Sequence, residues 1–483
     1  MNLRNQALSG AKWLTIHYVF RFVVTFIMSI FLARTLELRE FGLMGMISVF
    51  IGLSDVFINS GFSNAIIRTK NTSDRDHSSV FYMNIGISLC LYCLLFISAP
   101  FVSNFYGEHE LINIIRVVCV VIVINSTGLV HNALIVKRMD FRSQTIAALL
   151  GLIISSVIAL SMAFRGYGVY SIVGQAVSQA TVKTLGLWLF SKWKPQGVFS
   201  RSSLKKLWPF SSRVLASNVI TSFSDQFDNI TVGKLFNAYN LGIYGRGRST
   251  SQIPQGIFSG VIGAASFSVF SQINDDLVEL KRVHIRFFKL SVFVVFPLIF
   301  GLIASAEAFI VGLYTEKWSE AVPMVQLVSI TAITEILGNF FSQTVMALGN
   351  AGLYLKLNTY KKLTGLLAIP FGIYFGIYPF VIALVSIRMI GLLIDFFFVQ
   401  RLLHFNKGTY VRLMFKPLLN SLIMGVVVFG IGEILNLNAL LILCIQAISG
   451  ILLYAILAKA IDRETFQYMT RIIKEKINSY KSK

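Results

Sequence analysis

Residues 213–234 read RVLASNVITSFSDQFDNITVGK and have the length of a membrane span, roughly 20 residues. The polar side chains of this stretch recur at helical spacing and share one face of a helix: Arg213, Ser217, Thr221, Asp225 and Asp228. A carboxylate at membrane depth costs roughly 2.5–3.5 kcal/mol, so such groups face protein or a water-filled cavity. The stretch therefore predicts a helix that lines an ion or substrate pathway. The alternative is an Asp pair held by Arg or Lys on neighbouring helices.

The composition of the whole chain is that of a polytopic membrane protein. Of the 483 residues, 55% are apolar and 13% are charged, whereas soluble domains carry about 25% charged residues. Apolar runs of roughly 17–25 residues mark about fourteen candidate membrane helices. They lie near 13–33, 42–60, 80–103, 111–135, 144–164, 167–190, 210–234, 249–270, 287–306, 322–347, 363–378 (split from the next at Tyr378-Pro379), 379–400, 416–434 and 439–459. The predicted fold class is all-α.

The distribution of basic residues predicts the orientation of these helices. If the N-terminus is cytoplasmic, 31 of the 43 Lys and Arg residues fall on the inside, 7 fall in outside loops and five lie within spans. Cytoplasmic loops of membrane proteins carry such an excess of Lys and Arg. Both termini are therefore predicted to be cytoplasmic. The same asymmetry explains the net charge of +21 without a nucleic-acid partner.

A basic linker, residues 191–208, divides the chain into halves that share a short repeat. Residues 33–45 read ARTLELREFGLMG and residues 233–245 read GKLFNAYNLGIYG, and an offset of 200 aligns Gly42 with Gly242. Six predicted spans separate the two copies, an even number, so the halves are expected to have parallel topology. The predicted architecture is two six-helix lobes around a central cavity. Its parts are an N-terminal lobe 1–190, a C-terminal lobe 209–404, an added helix pair within 405–460 and a basic cytoplasmic tail 461–483.

Ten Asp, Glu, Lys and Arg side chains fall within the predicted spans when the three residues at each end of a span are not counted. If all of them faced lipid, the cost would be on the order of 25–35 kcal/mol, which exceeds a usual folding stability of about 5–15 kcal/mol. Three basic residues deep in different spans, Arg21, Lys183 and Arg388, predict a cationic, water-filled site for the substrate. The candidates for ion coupling or gating, with H⁺ or Na⁺ as the ion, are Asp225, Asp228, Glu335 and Asp395. The alternative is that these charges form structural ion pairs.

The sequence contains none of the common enzyme motifs. It has no H-E-x-x-H, no G-x-x-x-x-G-K-[ST] and no G-x-S-x-G. The predicted outside loops are too short to form a catalytic domain, and no cofactor is expected. A carrier driven by an ion gradient fits this pattern, and a carrier served by a separate ATPase is the alternative.

Residues 31–68 read FLARTLELREFGLMGMISVFIGLSDVFINSGFSNAIIR and resemble a signature of bacterial polysaccharide exporters. In that signature an LAR-L and FG-L pattern is followed by an Asp, a Gly-Phe pair and an Ala-Ile pair, which here are Asp55, Gly61-Phe62 and Ala65-Ile66. VGKLFNAYNLGIYGRGRSTSQIP and FSVFSQINDD resemble stretches of the second half of these exporters, although Val269 stands where Pro is usual. The chain is similar to lipopolysaccharide, O-antigen and colanic-acid type exporters of the multidrug/oligosaccharidyl-lipid/polysaccharide flippase superfamily.

The resemblance implies a flippase for oligosaccharides linked to undecaprenyl pyrophosphate. Such a carrier works in the bacterial inner membrane by alternating access of two lobes, is usually proposed to be ion-coupled, and has a cationic cavity for the glycan and the pyrophosphate. Its partners would be the lipid-linked oligosaccharide, membrane lipids, and a polysaccharide polymerase with chain-length machinery. The alternatives are a multidrug or small-molecule antiporter of the same superfamily and, in a different class, a membrane polysaccharide polymerase or ligase.

The last two predicted spans, 416–434 and 439–459, are almost free of charge. Between Leu418 and Lys459 the only charged residue is Glu433, at the predicted outer interface. Helices of this kind suit contact with lipid, so we expect them to hold the lipid tail of the substrate. The alternative is that they are packing helices only.

Overall fold

The structure, a computed structural model, describes residues 3–58, 61–69, 71–258, 264–273, 275–406 and 408–481. Every regular element in these ranges is a helix, which confirms the predicted all-α class. Packing divides the chain into two compact units, Met1–Gly242 and Ile243–Lys483. The lobe boundaries predicted from the basic linker remain a prediction.

The first unit is built from nine helices of the described residues and the start of a tenth. They are α1 (Leu3–Thr35), α2 (Leu38–Ile58), α3 (Phe62–Arg68), α4 (Asp74–Tyr106), α5 (Leu111–Val118), α6 (Val120–Lys137), α7 (Phe141–Phe164), α8 (Tyr170–Ser191), α9 (Arg201–Phe236) and α10 (Ala238–Phe258). In this unit α8 packs on α6 and α7, α1 packs on α7, and α9 packs on α2, α3 and α4.

The second unit contains the rest of α10 and the helices that follow it. They are α11 (Ala264–Gln272), α12 (Leu277–Ala304), α13 (Ala306–Tyr314), a 3-10 helix (Glu316–Ala321), α14 (Val322–Ala347), α15 (Ala351–Thr364), a 3-10 helix (Gly365–Ala368), α16 (Ile369–Phe375), α17 (Ile377–Leu402), α18 (Thr409–Ile434), α19 (Ala439–Ile461) and α20 (Arg463–Lys481). Here α12 packs on α14 and α18, α14 packs on α17, and α18 packs on α19.

Ten helical stretches among the described residues are long and apolar enough to cross a membrane, so the chain is a multi-pass membrane protein. The predicted spans outside these ten correspond to α8, α9, α10 with α11, and α15 with α16. These helices are more polar or are interrupted, and the count of fourteen remains a prediction. Residues 259–263 of the predicted span 249–270 lie outside the described residues.

One predicted boundary is wrong. The chain breaks at Gly376, whose φ of 93° ends α16, and α17 begins at Ile377. The predicted break at Tyr378-Pro379 therefore falls inside the first turn of α17, where a proline is tolerated because its missing N–H would have no helical partner.

The two copies of the sequence repeat touch each other within the first unit. A Cβ atom on Gly42 would overlap the carbonyl oxygen of Ala238, and a Cβ atom on Gly242 would overlap the carbonyl oxygen of Leu38. The first turns of α2 and α10 are therefore in backbone contact, which only glycine permits at these two positions. The contact obeys the offset of 200 that relates the repeats, because 38 and 238, and 42 and 242, are equivalent positions.

The first half of the basic linker is attached to the N-terminal turns of α4. The backbone N–H of Gln196 donates to the Ser78 hydroxyl at 2.9 Å, and the backbone N–H of Ser200 donates to the Ser79 hydroxyl at 2.8 Å. The second half is helical, since α9 begins at Arg201. The connection between α8 and α9 is therefore ordered and bonded to α4.

The core of the second unit surrounds His284 of α12, which is fully buried. Its ring nitrogens form hydrogen bonds with the Tyr410 hydroxyl at 2.9 Å and the Thr344 hydroxyl at 3.3 Å. Aromatic rings surround it: Phe270, Phe340, Phe341 and Phe405. With both nitrogens bonded, this histidine is a packing residue that ties α12 to α14 and α18.

Candidate substrate-binding site

Two of the predicted substrate-binding residues come together in the first unit. Lys183 of α8 interacts electrostatically with Arg21 of α1 and with Asp55 of α2. Asp55 also interacts with the side chain of Asn125 on α6. His17, one turn before Arg21, lies near both basic groups. The result is a cluster of two basic side chains and one carboxyl group, which we call the Arg21–Lys183 cluster.

Small residues on α7 and α8 allow the two helices to approach closely beside Lys183. A Cβ atom on Gly151 would lie 3.2 Å from the backbone nitrogen of Lys183, and a Cβ atom on Gly186 would lie 2.9 Å from the Cβ of Ala147. Close approach through small residues is the usual way in which membrane helices pack without a large apolar interface. The Lys183 side chain remains exposed within its unit, as does that of Arg21.

The third predicted basic residue, Arg388, lies in the second unit. Its guanidinium forms an ion pair of 3.5 Å with Glu335, and both side chains are about one-third exposed, at 27% and 33%. The structure therefore brings together one predicted substrate-binding residue and one predicted coupling residue, on α17 and α14. Arg21 and Lys183 lie in the other unit.

Asp395, a predicted coupling residue, is buried and bonded to a residue that sequence reasoning missed. The Nζ of Lys361 donates to its Oδ2 at 2.8 Å. Glycines on both flanking helices make room, because Cβ atoms on Gly391 and Gly338 would lie 3.1 Å from the Lys361 side chain and 3.5 Å from Asp395 Oδ2. Lys361 falls between the predicted spans 322–347 and 363–378, so the sequence predicts a loop at this position. The available signal was the absence of Gly and Pro from Leu353 to Thr364, which permits a continuous helix.

The remaining coupling candidates lie on α9. Asp225 is exposed within the first unit and Asp228 is buried there, at 4% exposed. Of the polar side chains predicted to share one face of this helix, Arg213, Thr221 and Asp225 are exposed. The side chain of Ser217 lies outside the described residues. Asp228 departs from the stripe: it follows Asp225 by three residues, where the other members are four apart, and its side chain is buried in the unit.

The charges of these clusters do not cancel equally in the two units. In the second unit each basic residue named above is paired with a carboxylate. In the Arg21–Lys183 cluster, Asp55 interacts with Lys183, and the Arg21 guanidinium adds a further positive charge. An anionic ligand would be stabilised most by the uncompensated charge, because fixed charges act strongly where water is scarce. The Arg21–Lys183 cluster is therefore the better candidate for an anion site.

The sequence model of the polysaccharide biosynthesis protein family matches residues 31–323, which is more than half of the 483 residues. The chain belongs to this family. It is 24% identical to the teichuronic acid biosynthesis protein TuaB of Bacillus subtilis over 94% of this chain and 96% of that protein. It is also 24% identical to the lipopolysaccharide biosynthesis protein WzxC of Escherichia coli, over 90% and 89% of the two chains.

Among solved structures, the fold of this family member is similar to that of the lipid II flippase MurJ in an inward closed conformation. The TM-score is 0.68 at 19% sequence identity, over 92% of this chain and 99% of that chain. The resemblance to polysaccharide exporters is thereby confirmed, as is the expectation of a membrane transporter in place of an enzyme.

Proposed function

We propose that this protein moves undecaprenyl-pyrophosphate-linked oligosaccharide repeat units across the bacterial inner membrane for surface polysaccharide biosynthesis. The observation that carries the proposal is the Arg21–Lys183 cluster, in which Asp55 interacts with Lys183 and Arg21 adds a second basic group, on helices of a membrane protein. A diphosphate loses hydration when it leaves the aqueous phase and needs fixed positive charge in return. The names of TuaB and WzxC support a glycan substrate, and the fold shared with a lipid II flippase supports a lipid-linked one.

The cluster is suited to transient binding of an anion. Without substrate, Asp55 offsets part of the charge of Lys183 and keeps the empty site from being strongly repulsive. With substrate, a phosphate oxygen competes with Asp55 for Lys183 while Arg21 supplies planar, paired donors. A carrier must bind well enough to load and weakly enough to release, and a resident carboxylate lowers the cost of release. The substrate then shifts the balance between inward- and outward-open states by its difference in affinity for them.

The polyprenyl tail is proposed to run along α18 and α19. Their outward side chains are large and apolar: Val426, Phe429, Ile434, Ile448, Ile451 and Ile456. Isoprenoid chains match such a surface because a polar group that they covered would lose its hydrogen bonds to water and would need another partner. Ion coupling through Asp225, Asp228, Glu335 and Asp395 completes the proposal, with both termini on the cytoplasmic side.

The test is the leaflet on which lipid-linked repeat units accumulate when the protein is missing. A deletion strain is complemented with the wild-type chain or with an Arg21→Gln, Lys183→Gln double variant, and the units are probed from the outside with a membrane-impermeant glycan label. We expect inner-leaflet accumulation without the protein and with the double variant. Accumulation on the outer leaflet would mean a step after translocation and would overturn the proposal. Normal export with no glycolipid change would favour a small-molecule carrier.

A further inference from the structure

A pocket of about 360 Å³ lies in the second unit, where the N-terminal half of α12 meets the C-terminal helix α20. Its charged and aromatic lining consists of Arg282, Arg286, Lys289, Glu464, Tyr468 and Arg471. Its volume is about ten times the share of one water molecule in the liquid, roughly 30 Å³, so it can hold a small polar headgroup. None of its lining residues belongs to the charged clusters of the candidate site.

The pocket carries an excess of positive charge. Four basic residues face one carboxylate, Glu464, which is 84% exposed and pairs with Lys289 at 3.4 Å. Arg282 pairs with Glu279 on its own helix. In the described part of the chain, no carboxylate lies within ion-pairing distance of Arg286 or Arg471. Two guanidinium groups are thus available to an anion, and guanidinium matches the geometry of phosphate.

The position of the pocket is the membrane–water boundary. Its α12 residues precede an apolar stretch that runs from Leu290 to Ala304 in one of the membrane-spanning helices. Helix α20 is amphipathic and follows another such helix, α19, directly. Phe466 and Met469 anchor α20 to the core of the unit, whereas Arg463, Arg471 and Lys474 are exposed. The excess of Lys and Arg marks this end of the helices as cytoplasmic.

The lining also offers apolar contact beside the charges. Ile285 and Leu290 line the pocket, and the Arg286 guanidinium lies 5.3 Å from the centre of the Tyr468 ring. A phospholipid presents this combination of a phosphate and an adjoining glycerol with acyl chains. Basic pockets at the cytoplasmic ends of membrane helices bind anionic headgroups.

We propose that this pocket binds the phosphate of an anionic phospholipid of the inner leaflet. The lipid bridges α12 and α20, with Arg286 and Arg471 as its main phosphate ligands. Bound in this way, it supplements the apolar contacts of α20 and holds the helix in the headgroup layer. This site is independent of the proposed transport of oligosaccharide units.

The test uses the full-length protein, purified and stripped of lipid in detergent, and titrated with phosphatidylglycerol under native mass spectrometry. An Arg286→Gln, Arg471→Gln variant is compared with an Arg412→Gln, Lys416→Gln control, whose residues are exposed on the first turns of α18 in the same unit and do not line the pocket. We expect phosphatidylglycerol to bind on the order of 30-fold more weakly to the pocket variant, from about 1 kcal/mol per basic residue. The control is expected to change by less than about threefold.

A second variant and a second ligand make the test independent of folding. Arg286→Lys with Arg471→Lys keeps the charge and is expected to retain binding within about fivefold, as an ammonium still attracts phosphate. Phosphatidylcholine with the same acyl chains is expected to bind equally weakly to all variants. Equal loss of phosphatidylglycerol in the pocket variant and the control would overturn the proposal. So would displacement of the lipid by millimolar inorganic phosphate, which would identify a free phosphate site.

Discussion

The Nζ atom of Lys361 lies 2.8 Å from the Oδ2 atom of Asp395, and the carboxylate is almost fully enclosed. Each charge alone would be expensive at this depth, since the side chain of Asp395 is 3% exposed. The pair therefore explains why two ionisable residues persist on helices that pack with α14. The contribution of each partner to the stability of the protein can be measured by substitution.

Removal of one partner of this pair is expected to destabilise the protein more than removal of both. Asp395→Leu and Lys361→Met each leave one uncompensated charge, a cost of about 3–5 kcal/mol for a buried pair, whereas the double variant leaves none. Thermal unfolding in detergent measures the difference. Arg388→Met is the matched control, because its partner Glu335 is 33% exposed and can be hydrated. A double variant less stable than both single variants would contradict the structural assignment.

Substitution of Gly242 by Ala is expected to destabilise the protein, and substitution of Gly245 is not. A methyl group at 242 would overlap the Leu38 carbonyl, whereas a Cβ at 245 meets no atom within 4 Å. Overpacking typically costs about 1–3 kcal/mol, and Gly→Ala in an open helical position is neutral or favourable. The midpoint of thermal unfolding is the measurement. Equal midpoints for the two variants would show that α2 and α10 are not in backbone contact.

Replacement of Arg21, Lys183 and Arg388 by Gln is expected to abolish export while protein levels stay normal. The reason is loss of the fixed positive charge that replaces water around the diphosphate. Arg116→Gln is the control, since the guanidinium of this arginine packs 4.6 Å from the centre of the Phe96 ring. Export is measured as surface polysaccharide. Wild-type export by the triple variant would mean that these residues form structural pairs only.

Asp225→Asn with Asp228→Asn is expected to uncouple export from the ion gradient. A proton or Na⁺ bound by these carboxylates would stabilise one of the two access states, and the amides bind neither in the same way. Export in energised vesicles is compared with and without an ionophore. If the double variant responds to the ionophore as the wild type does, α9 is not the coupling element.

The predicted topology places both termini in the cytoplasm. Reporter fusions after Phe105 and after Ser200 are expected to indicate opposite sides of the membrane, because the inside segments carry 31 of the 43 basic residues. A periplasm-active and a cytoplasm-active reporter at each site provide mutual controls. Matching signals at the two sites would exclude this arrangement.

The helices could be predicted because apolar runs and basic loops leave strong local signals. The partners of the charged residues could not, since the Lys361–Asp395 pair joins residues 34 apart on separate helices and depends on packing. The helical position of Lys361 could not be predicted, because it lies at the polar end of α15, where a helix and a loop have similar composition. The depth of Arg21 and Lys183 in their spans could be predicted, but the interactions of Lys183 with Asp55 and Arg21 arise only when α1, α2 and α8 assemble.

The reciprocal contact between the repeats has a consequence for the history of the chain. Position 42 meets 238 and position 242 meets 38, which is the rule of an interface between two identical subunits related by a two-fold axis. A contact of this kind is expected if an ancestral gene of half this length duplicated and fused. Each glycine is constrained by the backbone of the opposite copy. Substitutions at positions 42 and 242 are therefore limited by the backbone of the other copy, and we expect these two positions to evolve as a pair.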